Sequence, residues 1–289
     1  MLQNTFCHIN GVGRQIEARL WECGICSSPD FAAVRHYPIN AAKASLIRSE
    51  LEYSQSELEK GNPVYFSRRL PSAQQWRLFG EFRRRSAYID IETTGLSRDY
   101  NRITTIALYD GVQIRYYVNG LNLEKFVEDI ACYDLLVTYN GKLFDLPFIE
   151  NFFGIRLPQA NIDLRYVLKS LGYKGGLKGC EKNFGLDRNG LEGVDGYFAV
   201  LLWHEYRKHA EPKVLETLLA YNIEDVVNLE YLMHAAYNLK LAGTPFAAHL
   251  RLPLPNRPAV PFKPDKAILY RIREKYMSNP STSWETVLS

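Results

Sequence analysis

The sequence predicts an α/β protein in which a mixed sheet is flanked by helices, and two patterns of apolar residues support this prediction. Within residues 86–139 the spacing indicates three strands, one helix and a further strand. Residues 213–239 then show the spacing of a single long helix. A chain of 289 residues, 46% hydrophobic and 23% charged, suits a globular protein of one large or two smaller domains.

Composition divides the chain into three predicted regions: a helical N-terminal region (1–85), a central region (86–240) and a Pro-rich tail (241–289). Lys and Arg number 12, 16 and 7 in these regions, against 8, 21 and 3 Asp and Glu. Basic flanks of this kind can hold a phosphate backbone, whereas the acidic centre would repel a polyanion unless metal ions neutralised its acids. Solvated basic faces are the alternative interpretation.

Targeting and redox signals favour a cytoplasmic protein with no membrane partner. No run of 18 or more apolar residues occurs, and residues 1–10 lack the pattern of a secretory signal. The five cysteines are irregularly spaced, which favours reduced thiols over a disulfide framework.

A glycine turn precedes the first predicted helix. Two glycines at a helix start can present backbone amides to a phosphate. The segment Ile9-Asn10-Gly11-Val12-Gly13 resembles one helix-hairpin-helix unit of DNA-binding proteins, with Gly11, Gly13 and Arg14 as the expected contacts. A glycine-rich helix start that packs internally is an equal alternative.

Two cysteines after this helix have the spacing of zinc ligands. Cys23 and Cys26 would need Cys7 and His8 to complete the site, although adjacent preceding partners are an unusual arrangement. The favoured alternative is that Gly24 simply ends the helix.

Arginines and aromatic residues alternate in the segment at 64–85. Tyr65, Phe66 or Trp76 can offer stacking surfaces to nucleic acid. The favoured alternative is that these side chains dock the N-terminal region onto the core.

Two carboxylates end the first predicted strand. Because side chains alternate along a strand, Asp90 and Glu92 point to the same face. Like charges held so close require a cation between them or a shared proton. An acidic strand end that is solvated at the sheet edge is the alternative for this pair alone.

Further acidic residues follow at the ends of later elements. Asp145 comes at a strand-to-helix turn, and Tyr221 and Asp225 are four residues apart on one helix face. Two divalent ions about 4 Å apart need several carboxylates, and a helix carrying Asp225 opposite Asp90 can close such a cage. Taken singly, these residues also fit a helix cap, a core tyrosine and a surface acid.

The acidic motifs resemble those of the DEDD 3'-5' exonucleases. Asp90-x-Glu92, Asn140-x-x-x-Phe144-Asp145 and Tyr221-x-x-x-Asp225 are similar to their Exo I, Exo II and Exo III motifs, in the DEDDy branch, and the order of predicted elements resembles the ribonuclease H-like fold. The glycine turn and the segments at 68–79 and 192–206 are similar to the predicted YprB-type prokaryotic exonucleases. This likeness covers most of residues 1–240.

The resemblance implies a metal-dependent 3'-5' exonuclease that releases nucleoside 5'-monophosphates from DNA or RNA with two Mg²⁺ or Mn²⁺ ions. Asp90 would bridge the ions, Glu92 and Asp225 would complete one site, and Asp145 would hold the second. Tyr221 would orient the attacking water. The expected partner is nucleic acid with a single-stranded 3' end.

Other residues near the motifs are expected to contact the nucleic acid. These residues are Thr93, Gly95, Leu96, Asn140, Phe144, Lys174 and Lys178. A structural loop is the equal alternative around Gly175 and Gly176. Asp163 fits a helix-capping residue at a strand end better than a fifth acid facing the metals.

Two other functions stay open. A nucleic-acid-binding module that no longer cuts is disfavoured by the complete acidic set, and a small-molecule phosphodiesterase would not need basic flanks. The tail contains six prolines from 245 to 264, so we expect an extended segment there and a short basic helix at 267–277.

Overall fold

A five-stranded sheet forms the centre of the computed structural model, which describes residues 1–188, 190–191 and 193–277. The strands are β1 (Ser86–Thr93), β2 (Ile103–Tyr109), β3 (Ile114–Val118), β4 (Leu135–Thr138) and β5 (Ala160–Asp163). They lie in the order β3-β2-β1-β4-β5. The β1–β2 and β2–β3 pairs are antiparallel, and the β1–β4 and β4–β5 pairs are parallel. The predicted mixed sheet is therefore confirmed.

Helices cover the sheet. In chain order they are α1 (Arg14–Glu22), α2 (Ser28–Ala33), α3 (Ala41–Glu59), α4 (Pro63–Arg69), α5 (Phe79–Phe82), α6 (Lys125–Ile130), α7 (Asp145–Phe153), α8 (Leu164–Lys169), α9 (Gly176–Asn183), α10 (Gly196–His209), α11 (Pro212–Leu241), α12 (Ala247–Leu250) and α13 (Lys266–Met277). Short 3-10 helices lie at Leu2–Asn4, Ser72–Leu78 and Arg83–Arg85. Among the described residues no helix combines the length and apolarity needed to cross a membrane.

Strand β1 separates two hydrophobic clusters because its side chains alternate between the faces of the sheet. Ile89 and Ile91 pack into the cluster on one face, and Tyr88 packs into the cluster on the other. Asp90 therefore shares the face of Tyr88, where α11 crosses β1 and β2. Helix α11 starts with Pro212 and is buried along most of its length, so it holds its side chains firmly against this face.

The N-terminal helices have a small core of their own, but the chain after them joins the central core. Tyr65, Phe66 and Trp76 are 6%, 1% and 1% exposed and pack in the cluster that contains Tyr88. The docking alternative is thus confirmed for these aromatics, because buried rings offer no stacking surface.

The described N-terminal residues contain the second helix of the expected helix-hairpin-helix unit but not the first. Helix α1 follows the glycine turn, but the described residues before that turn form the short 3-10 helix Leu2–Asn4 and further turns. The amides of Phe6 and Cys7 donate to the carboxylate of Glu17 at 2.8 and 3.3 Å. These amides serve a buried side chain, and the first helix of such a unit is missing from residues 1–13.

The zinc alternative is also wrong for the described residues. No group of possible metal ligands includes Cys23 or Cys26 there. Gly24 has φ of +77° and ends α1, and the Ile25 amide donates to the Leu20 carbonyl at 2.9 Å. This left-handed helix end matches the favoured alternative, in which Gly24 ends the helix.

The C-terminal segment runs extended across α11, as predicted. The amide of Leu252 donates to Asn238 Oδ1 at 2.9 Å, and Arg257 forms an ion pair with Glu224. Helix α13 then follows. Residues 278–289 of the predicted tail lie outside the described residues, as does Glu192 of the segment at 192–206.

A buried ion pair ties α1 to the central core. Arg77 Nη2 donates to Glu17 Oε2 at 2.7 Å, and the two side chains are 3% and 1% exposed. Arg77 Nη1 donates to Glu17 Oε1 and to Thr5 Oγ1, at 3.0 and 2.8 Å. Loss of one partner would leave a buried charge without compensation.

We predict that Arg77→Met lowers the free energy of unfolding by about 3–5 kcal/mol. The matched control is Arg85→Met, because Arg85 is 64% exposed in its ion pair with Asp134, and such exposed pairs contribute at most about 1 kcal/mol. Urea unfolding of both variants measures the difference. Equal losses would show that burial of the Glu17 pair does not matter.

Candidate active site

Strand β1 and helix α11 meet at Asp90, where Asn222 of the helix contacts this predicted acid. Asn222 Nδ2 donates to Asp90 Oδ2 at 2.8 Å and to the Asp90 carbonyl at 3.2 Å. Asn222 Oδ1 accepts a hydrogen bond from Thr105 Oγ1 of β2 at 3.0 Å. The sequence prediction missed Asn222, although it lies next to Tyr221 in the third motif.

Three carboxylates converge at this crossing. Oxygens of Asp90, Glu92 and Asp225 all lie within 4.8 Å of one another. Hard carboxylate oxygens are the ligands that Mg²⁺ and Mn²⁺ favour, so this donor set fits the implied ions. Asp145 is not in that group, but its Oδ1 accepts a hydrogen bond from the Ile91 amide at 3.2 Å, which holds it beside β1.

The turn after β4 delivers Asp145 to the site. Asn140 has φ of +67°, and a Cβ atom at Gly141 would overlap the side chain of Thr138. The amides of Asn140 and Lys142 donate to Asp163 at 2.8 and 3.2 Å. Asp163 also caps α8, so the capping alternative is confirmed and Asp163 braces the turn.

Two cations contact Asp225. Lys178 Nζ donates to both carboxylate oxygens, at 2.6 and 2.8 Å, and Arg188 Nη2 donates to Oδ1 at 2.9 Å. The Lys178 ammonium lies 4.4 Å and the Arg188 guanidinium 5.4 Å from the centre of the Tyr221 ring. Lys178 was an expected phosphate contact, whereas Arg188 was missed because no motif surrounds it.

The acids line one wall of a cleft of about 900 Å³. It contains every expected site residue of the central region: Asp90, Glu92, Thr93, Gly95, Leu96, Asn140, Phe144, Asp145, Lys174, Lys178, Tyr221 and Asp225. Gly11, Gly13 and Arg14 are not among its lining residues; Arg14 lines a separate cavity of about 390 Å³.

Basic and aromatic residues that the sequence prediction missed also line the cleft. Arg165 and Lys169 lie one helical turn apart on α8, and Tyr173 and Tyr197 add aromatic rings. The four-residue spacing of the two cations directly after a strand end was the available signal. The cleft is therefore lined by both acids and cations.

Burial and mutual repulsion disfavour the charged forms of the acids. Loss of hydration, followed by the charges of Asp225 and Asp145, raises the pKa of Asp90 well above its usual value. Loss of hydration and the charge of Asp225 likewise raise the pKa of Glu92. For Tyr221, burial and then Asp225 raise the pKa, so its hydroxyl stays protonated at neutral pH.

Burial also raises the pKa of Asp145 from its usual 3.8 to about 7. Between these values the folded chain binds a proton that the unfolded chain has released. The stabilising contribution of the protonated carboxyl is therefore complete below about pH 4 and is lost as the pH rises through about 7.

We predict that metal-free protein loses stability between pH 5 and pH 8, and that Asp145→Asn loses roughly 2–4 kcal/mol less. Asparagine keeps the acceptor for the Ile91 amide but does not titrate. Urea unfolding of both proteins in EDTA at the two pH values measures this. Parallel losses would mean that Asp145 is ionised throughout.

Comparison with known proteins gives the family. A model of the RNase H superfamily matches residues 87–237. A search of curated proteins gives no match. Similar solved structures include a family B DNA polymerase from the hyperthermophilic archaeon Pyrobaculum calidifontis, with 15% identity and a TM-score of 0.42 over 58% of this chain and 27% of that chain.

Two further structures share part of the fold. The apo form of a nuclease is 19% identical, with a TM-score of 0.39 over 54% of this chain and 73% of that chain. Brucella melitensis NrnC with bound Mg²⁺ is 18% identical, with a TM-score of 0.30 over 55% of this chain and 86% of that chain. Likenesses this distant carry no argument about activity. The family model, in contrast, covers more than half of the 289 residues, and the chain therefore belongs to the RNase H superfamily.

Proposed function

We propose that the protein is a metal-dependent 3'-5' exonuclease that releases nucleoside 5'-monophosphates. The observation that carries the proposal is the convergence of Asp90, Glu92 and Asp225 within 4.8 Å on one wall of an open cleft. The motifs around these acids support assignment to the DEDDy branch, near the YprB-type exonucleases.

The donor set supports a pair of Mg²⁺ or Mn²⁺ ions. Asp90 would contribute to both ions, Glu92 and Asp225 to one of them, and Asp145 to the other. Bound divalent ions would supply the Lewis acidity that activates the attacking water and neutralises charge on the departing 3' oxygen. The protonated Tyr221 hydroxyl would orient that water.

The cleft supports a single-stranded polymer as substrate. Arg165, Lys169 and Lys174 line the same cleft as the acids and can track a phosphate backbone. Tyr173, with the expected contacts Phe144 and Leu96, offers apolar surface to unstacked bases. A small-molecule phosphodiesterase would not need these additional cations in the cleft. Contacts from Gly11, Gly13 and Arg14 stay a prediction, outside the cleft.

The direct test is incubation of the purified protein with Mg²⁺ or Mn²⁺ and end-labelled single- and double-stranded DNA and RNA. We predict stepwise shortening from the 3' end, with single strands preferred. Asp90→Asn should reduce the rate by at least about 1000-fold, because the carboxylate shared by both ions is lost. Full activity of a folded Asp90→Asn variant would refute the assignment.

We further predict that Tyr221→Phe and Asp225→Ala have different metal dependence. Loss of the Tyr221 hydroxyl misplaces the nucleophile and should cost about 10- to 100-fold in rate, or roughly 1.4–2.7 kcal/mol. Asp225→Ala removes a metal ligand, so it should cost more and be partly rescued by high Mn²⁺.

Single-turnover cleavage across a Mn²⁺ titration separates these two variants. Tyr221→Phe is the matched control, because it lies on the same face of α11 and keeps the ring under Lys178. A normal metal dependence of Asp225→Ala would exclude Asp225 from the metal site.

A further inference from the structure

Arg188 forms a buried bridge between Asp225 and a second acid. Its Nη2 donates to Asp225 Oδ1 at 2.9 Å, and its Nη1 donates to Glu181 Oε2 at 2.5 Å. The Arg188 side chain is 10% exposed, and the Glu181 side chain is 1% exposed. One guanidinium therefore pairs with two acids away from solvent.

The bridge is anchored at its far end. Asn228 Nδ2, one turn beyond Glu224 on α11, donates to Glu181 Oε1 at 2.9 Å and to Glu224 Oε1 at 3.2 Å. Glu181 thus cannot follow Arg188 away from α11 without breaking a buried hydrogen bond. Arg188 Nε has no hydrogen-bond partner among the described residues.

The two cations on Asp225 differ in their freedom to leave. Lys178 is 34% exposed, and its ammonium is held only by Asp225 among the acids of the described residues. An arriving divalent ion can replace this ammonium while the lysine turns toward the cleft. Arg188 is held by Glu181 and has no such exit. Asp225 then keeps one cation on Oδ1 whatever else binds.

We propose that Arg188 is a positioning residue, which fixes the Asp225 carboxylate and the Tyr221 ring for catalysis and weakens the attraction of Asp225 for a divalent ion. This inference rests on the proposed function. The fixed guanidinium occupies Oδ1, so Oδ2, which is contacted by the more exposed Lys178, is the oxygen left for an ion. Its positive charge opposes ion binding through space. Arg188 thus lowers the affinity of the site for the ion and in return holds the Asp225 carboxylate in one orientation.

The inference predicts opposite changes in metal affinity and rate. The test variant is Glu181→Gln with Arg188→Gln, because the double change removes both charges and leaves no buried acid unpaired. Without nucleic acid, it should bind Mn²⁺ about 10-fold more tightly by titration calorimetry, since the positive charge that is removed contacts Asp225 directly, whereas the Glu181 charge removed with it lies beyond the guanidinium. Its single-turnover rate at saturating Mn²⁺ should fall about 10- to 100-fold, because Asp225 and Tyr221 are no longer fixed.

Two comparison variants separate positioning from general stability. Arg188→Lys retains the charge but loses the two-pronged contact, so its Mn²⁺ affinity should match the wild type while its rate is only partly lost. Lys178→Met removes the other cation and should also tighten Mn²⁺ binding. Thermal unfolding of each variant reports any loss of fold.

Several outcomes would overturn the inference. Unchanged or weaker Mn²⁺ binding by the double variant, with a lowered unfolding temperature, would make Arg188 a structural residue only. A normal rate at saturating Mn²⁺ would remove its role in positioning. Wild-type protein that binds Mn²⁺ but cleaves no nucleic acid contradicts the proposed function, while the affinity comparison still decides the electrostatic part of this inference. No Mn²⁺ binding by the wild type would refute both.

Discussion

Repulsion between buried carboxylates is the constraint on which the rest of the structure depends. Asp90 and Glu92 share one face of β1, Asp225 faces them from α11, and loss of hydration raises the pKa of the first two. Within the described part of the chain, the cations that form ion pairs at this crossing both contact Asp225. Such an arrangement is stable only if packing elsewhere outweighs the repulsion. The apolar clusters on both faces of β1, and the buried length of α11, supply that packing.

Local spacing made the sheet and the acidic motifs predictable. Alternation along β1 set the shared face of Asp90 and Glu92, and a spacing of four residues set that of Tyr221 and Asp225. Arg188 and Asn222 were not predictable, because their partners lie 37 and 132 residues away in the chain. The contact before the glycine turn was unpredictable for a related reason: the Phe6 amide donates to Glu17, which the tertiary structure brings there. Sequence patterns thus located the acids better than the side chains that hold them.

In the N-terminal region, the change in composition does not coincide with a break in the hydrophobic core. Composition changes near residue 85, yet Tyr65, Phe66 and Trp76 belong to the same hydrophobic cluster as Tyr88. The buried pair of Glu17 and Arg77 extends this connection to α1. The basic flank is therefore mechanically continuous with the sheet that carries the acids, so a ligand held on one would be held in a fixed orientation to the other.

The ion pair between Arg257 and Glu224 affects the order in which parts of the chain can complete their packing during synthesis. Glu224 is 3% exposed and precedes Asp225 on α11, so it faces away from the cleft and toward the extended C-terminal segment. Until residue 257 has been synthesised and has left the ribosome, this acid has no guanidinium and its side of α11 has no cover. The helix that completes the acidic cluster therefore reaches its final packing only after residue 257 has emerged, whereas the strand acids emerge well before that point.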